Sequence, residues 1–77
     1  MSDYSRLQEA LHAHYAGRPV DTIAAQALGY LASAVPSAGG DYQGIADAVR
    51  ELYGINLSAA DVQTLSEEKQ RLDRGSR

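Results

Sequence analysis

Residues 45–65 most narrow what this chain can fold into: a helical stretch that closes on Gly54, then a second helix whose start is spelled out in its residues. Ser58 is placed to cap the amide of Asp61, and Asp61 to return a bond to Ser58, the reciprocal pattern of a capping box. Leu57 and Val62 flank that start as a hydrophobic staple. Ahead of the turn, Ile45, Ala48, Val49 and Leu52 recur at helical spacing, while Asp47, Arg50 and Glu51 face away. The expected architecture is therefore all-α, with a helix-turn-helix-like pair at its C-terminal end.

The rest of the chain reads as two further helices, giving a small four-helix domain. The first is expected over 3–15, with Ser2 or Asp3 as its cap, Tyr4, Leu7 and Leu11 on one face, and Gly17 at its end. The second is expected over 19–35, with Pro19 in the first position and Asp21 in the first turn. Pro36 should end it and push Val35 out of the helical region. Residues 36–40 then read as a flexible loop. The third helix is expected over 41–53, capped by Asp41. The fourth runs from Ser58, with Lys69 breaking the stripe of Val62, Leu65 and Leu72. Its last turns should project into solvent, leaving one helical domain over 1–74 and a disordered tail at 75–77.

The chain has 77 residues, ten acidic against seven basic side chains, a net charge of −3 and no cysteine. A chain of this size buries roughly 60% of its unfolded surface, so its core is small and oligomerisation is a common source of added stability. Cations are too few for non-specific nucleic-acid binding, which rests on phosphate neutralisation by Lys and Arg. The negative charge is too small for a mimic of the DNA backbone. Cysteine-free composition fits a reducing compartment, and a cytoplasmic location is the expectation. The first residues are polar and acidic rather than basic and then apolar, unlike a secretory leader. No apolar run of about 20 residues offers a membrane span.

The second helix is apolar nearly all round. A face of Ala24, Ala25, Leu28, Leu31 and Ala32 is the expected interface of a two-fold homodimer, with Ala25, Gly29 and Ala32 allowing close approach. The only aromatic residues are tyrosines, which should ring the core with hydroxyls outward, and Tyr30 and Tyr42 are the expected partner anchors. With Asp61 and Glu67 they outline a candidate protein-binding surface. His12 and His14, two apart on a helix, point roughly 200° apart and cannot chelate one metal together. One is expected at the surface and the other at the edge of the core. The motifs of nucleophile elbows, phosphate loops and zinc helices are all missing, so neither catalysis nor a cofactor is expected.

Two families share parts of these patterns. Ile45, Ala46, Ala48 and Val49, then Tyr53, Gly54 and Ile55, then Leu57, Ser58 and Val62 resemble the helix-turn-helix of small phage DNA-packaging and regulatory proteins, over about a quarter of the chain. The resemblance implies a phage-encoded regulator whose last helix enters the major groove. Its exposed positions here are Ala59, Asp61, Gln63, Thr64 and Glu67. Gln63 and Thr64, with Lys69, Arg71, Arg74 and Arg77 as cations, would then be the DNA-binding residues. Residues 51–57 are similar to the end of the second helix of acyl carrier proteins. That family needs an Asp-Ser-Leu at the helix start, where this chain has Gly40-Asp41-Tyr42-Gln43, and its helix is about a turn longer. With no carrier serine, phosphopantetheine chemistry does not carry over. The expected function is protein binding by a small regulatory or inhibitory homodimer, and the alternative is a DNA-binding transcriptional regulator.

Overall fold

The computed structural model describes residues 2–75. The chain order is α1 (Tyr4–Tyr15), α2 (Thr22–Ala34), a short 3-10 turn (Val35–Ser37), α3 (Tyr42–Tyr53) and α4 (Ala59–Gly75), with no strand among the described residues. The all-α four-helix class read from the sequence is the one observed.

The best-marked boundaries form as their residues dictate. The Asp41 carboxylate accepts from the Gly44 amide at 3.1 Å, and Gly54 closes α3 in the left-handed conformation at φ 68°. Ser58 Oγ accepts from the Asp61 amide, and the Asp61 carboxylate accepts from the Ser58 amide, both at 3.1 Å. Both Leu57 and Val62 pack into the core, as the staple requires.

Four expectations need correction. First, α2 starts at Thr22 rather than Pro19. Asp21 is its cap, with ψ 132° and its carboxylate accepting from the Ala24 amide at 2.9 Å. A side chain that satisfies an orphan helix donor must stand outside the helix. Second, Val35 remains helical at φ −59°, ψ −45°, and the chain turns through Pro36 instead of breaking there. The 36–40 segment is hydrogen-bonded rather than free: Ala38 donates to Val35 O at 3.1 Å and Asp41 to Ala38 O at 3.2 Å. Pro36 falls where the helix is ending, so its missing N–H breaks no ladder bond that is needed.

Third, Leu52 is 62% exposed, while Ala46 is buried in its place. Counting about 100° per residue, Ala46 and Leu52 lie about 60° to either side of Val49, and the neighbouring elements cover only the Ala46 side. Fourth, the end of α4 does not stand clear of the domain, for the Tyr15 hydroxyl reaches Asp73 near its close. It stays helical through Gly75 and lies against α1. Gly75, expected in a tail, is thus helical, and Ser76 and Arg77 lie outside the described residues.

The core gathers Leu7 and Ala10 from α1, Ala24, Ala27 and Leu31 from α2, Ile45, Ala46 and Val49 from α3, Ile55 from the turn, and Val62 and Leu65 from α4. The most extensive packing is α3 on α4, followed by α1 on α2 and α2 on α3. Tyr30 and Tyr53 meet edge to face across the α2–α3 seam, centroids 6.3 Å apart. At the other end, the Asp3 amide donates to Asn56 O at 2.6 Å and the Asp3 carboxylate accepts from the Asn56 amide at 2.8 Å. This two-way clasp joins the start of α1 to the α3–α4 turn. The Cα radius of gyration is 11.6 Å, close to the roughly 11.5 Å of a folded single chain this long.

Candidate functional site

The partition of α2 defines the site. Ala24, Ala27 and Leu31 face inward and are buried, whereas Ala25 and Ala32 are exposed and Leu28 is half-buried. The predicted dimer face is therefore split. Ala24 and Leu31 belong to the chain's own core, which a helix touching neighbours over part of its circumference must supply. Ala25, Leu28 and Ala32 remain available, with Gly29 between them; a Cβ built on Gly29 meets nothing within 4 Å.

These small residues floor an apolar groove of about 260 Å³, walled by Leu11, His14 and Tyr15 of α1, Val20 of the connection, and Lys69 of α4. A small hollow of about 30 Å³ adjoins it, sharing Leu11, Leu28, Ala32 and Lys69 and adding Leu31, Val35, Leu65 and Ser66. The groove exists because alanine and glycine recur at 25, 29 and 32, where longer side chains would fill the space.

Its polar rim is internally paired. Lys69 Nζ donates to the Asp73 carboxylate at 2.8 Å, and the Tyr15 hydroxyl donates to the same carboxylate. The hydrogen bond from Lys69, with that from Tyr15, holds the Asp73 carboxyl below the usual carboxylate range. The bond to Asp73 raises Lys69 above its ordinary value, and the same partner raises Tyr15. The rim is thus a closed set of charges beside an apolar floor, not a free cation. His14 stacks edge-on against Tyr15, centroids 5.2 Å apart.

Beside Lys69 in the chain is Glu68, the one buried charged side chain among the described residues, 6% exposed. One carboxylate oxygen accepts from the Tyr4 hydroxyl at 3.2 Å, and the other meets His12 Nε2. Burial, with the Glu68 charge beside it, pushes the Tyr4 hydroxyl above its ordinary range. Both histidines are exposed, so neither is the core-edge residue expected, and His12 is the one that reaches a buried partner.

The predicted protein-binding residues fall in separate settings. Tyr30 and Tyr42 are half-buried and pack against the chain's own core. Asp61 is committed to the α4 cap and also receives the Ser2 hydroxyl. Burial opposes its ionisation, but the bonds from Ser2 and Ser58 outweigh that and lower it. Glu67 is exposed, accepting from Gln63 at 3.4 Å. No side-chain hydrogen bond among the described residues joins the two tyrosines to the two carboxylates.

Of the DNA-reading candidates, Gln63, Thr64 and Arg71 are exposed on α4, while Lys69 is half-buried and paired. A wider hollow of about 460 Å³ at the α3–α4 corner has Ser2, Gln43, Asp47, Arg50, Asn56 and Ser58 around the apolar Ala46 and Leu57. It is open to solvent and of mixed character, and Gln43 already bonds Asp47 at 2.9 Å.

Sequence reasoning missed Glu68, Tyr15, Asp73, His14 and Val20. Glu68 had a signal: it follows Leu65 by three residues, on the edge of the buried face. Asp73 follows Lys69 by four, an ion-pair spacing. No protein-family model, curated protein or solved structure matches this chain.

Proposed function

We propose that this chain is a small protein-binding module of regulatory or inhibitory type, working as a homodimer and by contact rather than by catalysis. The observation that carries this reading is the open face of α2. Ala25, Leu28, Gly29 and Ala32 lie outside the core beside an apolar groove. The occupant is a second copy of the same helix. Over its 13 residues α2 bears no charged side chain, so two copies can meet there without opposing like charges. Small residues at 25, 29 and 32 would let the backbones approach closely, and a two-fold axis would satisfy both faces at once. The DNA-binding alternative has less to draw on, because Lys69 is tied to Asp73 and Gln63 to Glu67.

Light scattering tests the reading. The chain should have twice its own mass, and Ala32→Glu should halve that mass while keeping far-UV helicity. A chain monomeric at every concentration ends the proposal. Retardation of duplex DNA that fades steeply with salt would replace it by the DNA-binding reading.

A further inference from the structure

The two halves of α4 are held by different forces. Up to Leu65 the helix is anchored by its capping box and by Val62 and Leu65, 0% and 2% exposed. From Ser66 to Gly75 the one apolar side chain is Leu72, which is half-buried. What ties this second half to α1 is polar: Tyr4 and His12 on Glu68, and Tyr15 on Asp73. Lys69 and Ser66 meanwhile wall the groove and its adjoining hollow.

We propose that residues 66–75 are a strap that opens as a unit, hinged just after Leu65 and latched by the Tyr4–Glu68–His12 contact, and that its opening extends the apolar groove. The latch differs in kind from a greasy contact. A buried carboxylate has given up water, and its two hydrogen bonds offset that loss only while the strap is shut. On opening, Glu68 regains its hydration and little apolar surface on the strap is exposed. Opening is therefore cheap, whereas detaching Val62 and Leu65 would dismantle the core. Segments with few buried apolar contacts are the ones that open below the global unfolding limit. Lifting the strap removes the Lys69 and Ser66 wall, so the hollow beside Leu28, Leu31 and Leu65 joins the main groove. The latch lies between α1 and α4, so the exchange contrast holds whether or not a second copy sits on α2.

Amide hydrogen exchange on the full chain tests it. In the wild type, amides of 69–74 should exchange at least tenfold faster than those of Val49, Val62 and Leu65. Glu68→Ala should speed 69–74 a further tenfold or more and leave the core amides within threefold. Glu68→Gln, which can still accept from Tyr4, should fall between. The pair Tyr4→Phe with His12→Ala, which removes both Glu68 partners from the α1 side, should reproduce the Glu68→Ala pattern. The dye 1-anilinonaphthalene-8-sulfonate should fluoresce severalfold more with Glu68→Ala than with the wild type. Uniform acceleration across the chain, outright unfolding, or unchanged exchange or dye signal each overturns the strap.

Discussion

The seam between α3 and α4 and the seam between α1 and the end of α4 join helices of similar length by opposite means. At the first, Ile45, Val49, Ile55, Val62 and Leu65 are buried together around a tight glycine turn. At the second, hydroxyls, a carboxylate pair and an imidazole meet in hydrogen bonds, with Glu68 at the centre. An apolar seam is non-directional and insensitive to protonation. A polar seam is directional, nearly balanced against the water it displaces, and answers to pH. The same small domain thus carries one joint that fails only with the fold and another that can be loosened by itself.

The largest blow to the apolar seam should come from Ile55→Ala. Ile55 is 0% exposed, and emptying such a site costs about 2–5 kcal/mol, a large share of the stability of so small a domain. Urea melts followed by circular dichroism should show all helices lost together at a much lower midpoint. Helix α1 melting alone would mean that the α3–α4 seam does not hold the fold together.

A smaller loss is expected at the cap that starts α4, where Ser58→Ala removes the acceptor for the Asp61 amide and should cost about 1 kcal/mol. Asp41→Ala should act similarly on α3, since it removes the acceptor for the Gly44 amide. If both variants melt like the wild type, the caps are ornaments.

pH separates the seams without mutation. Tyr4, Tyr15 and Lys69 all have raised pKa values and all lie on the α1–α4 seam. A raised folded-state value gives stability that is complete below the unfolded value, near 10 for these groups, and is lost as pH rises through the folded one. Alkali should therefore loosen the end of α4 before α3, as amide exchange or tyrosine absorbance would record. Asp21, Asp61 and Asp73 are shifted down. Their contribution is present above about pH 4 and disappears as pH falls through their lowered values. Acid should therefore lower the urea midpoint, and Asp61→Asn should flatten that slope. A midpoint independent of pH below 4 would contradict it.

The smallest effect should be that of Arg6→Ala. The Arg6–Asp21 pair at 3.0 Å is exposed on both sides, and such pairs contribute little. A midpoint shift as large as that of Ser58→Ala would mean the surface is more tightly ordered than its exposure implies.

The four helices were legible, and so were the caps of α3 and α4, because their signals are local. Asp41, Gly54, Ser58 and Asp61 each act on an amide or dihedral within four residues. The Asp3 carboxylate, expected as a cap for α1, makes no cap bond there and accepts from the Asn56 amide instead. The start of α2 was misplaced because Pro19 and Asp21 both mark helix starts, and only the partner of the Asp21 carboxylate, the Ala24 amide, decides between them. The groove was half legible. The small residues of α2 stand out in sequence, but which of them turn inward depends on where α1 and α4 lie. Glu68 was passed over because a glutamate in a charged run reads as solvated, and its burial follows from Tyr4 and His12, more than 50 positions away.

The clasp between Asp3 and Asn56 has a consequence for how the chain could be divided. It ties the stretch before the Gly39–Gly40 turn to the stretch after it, as does the Tyr30–Tyr53 meeting. A nick at that turn should yield two pieces, neither with a complete interior, that re-form the domain when mixed, with helical dichroism returning in proportion to a one-to-one ratio.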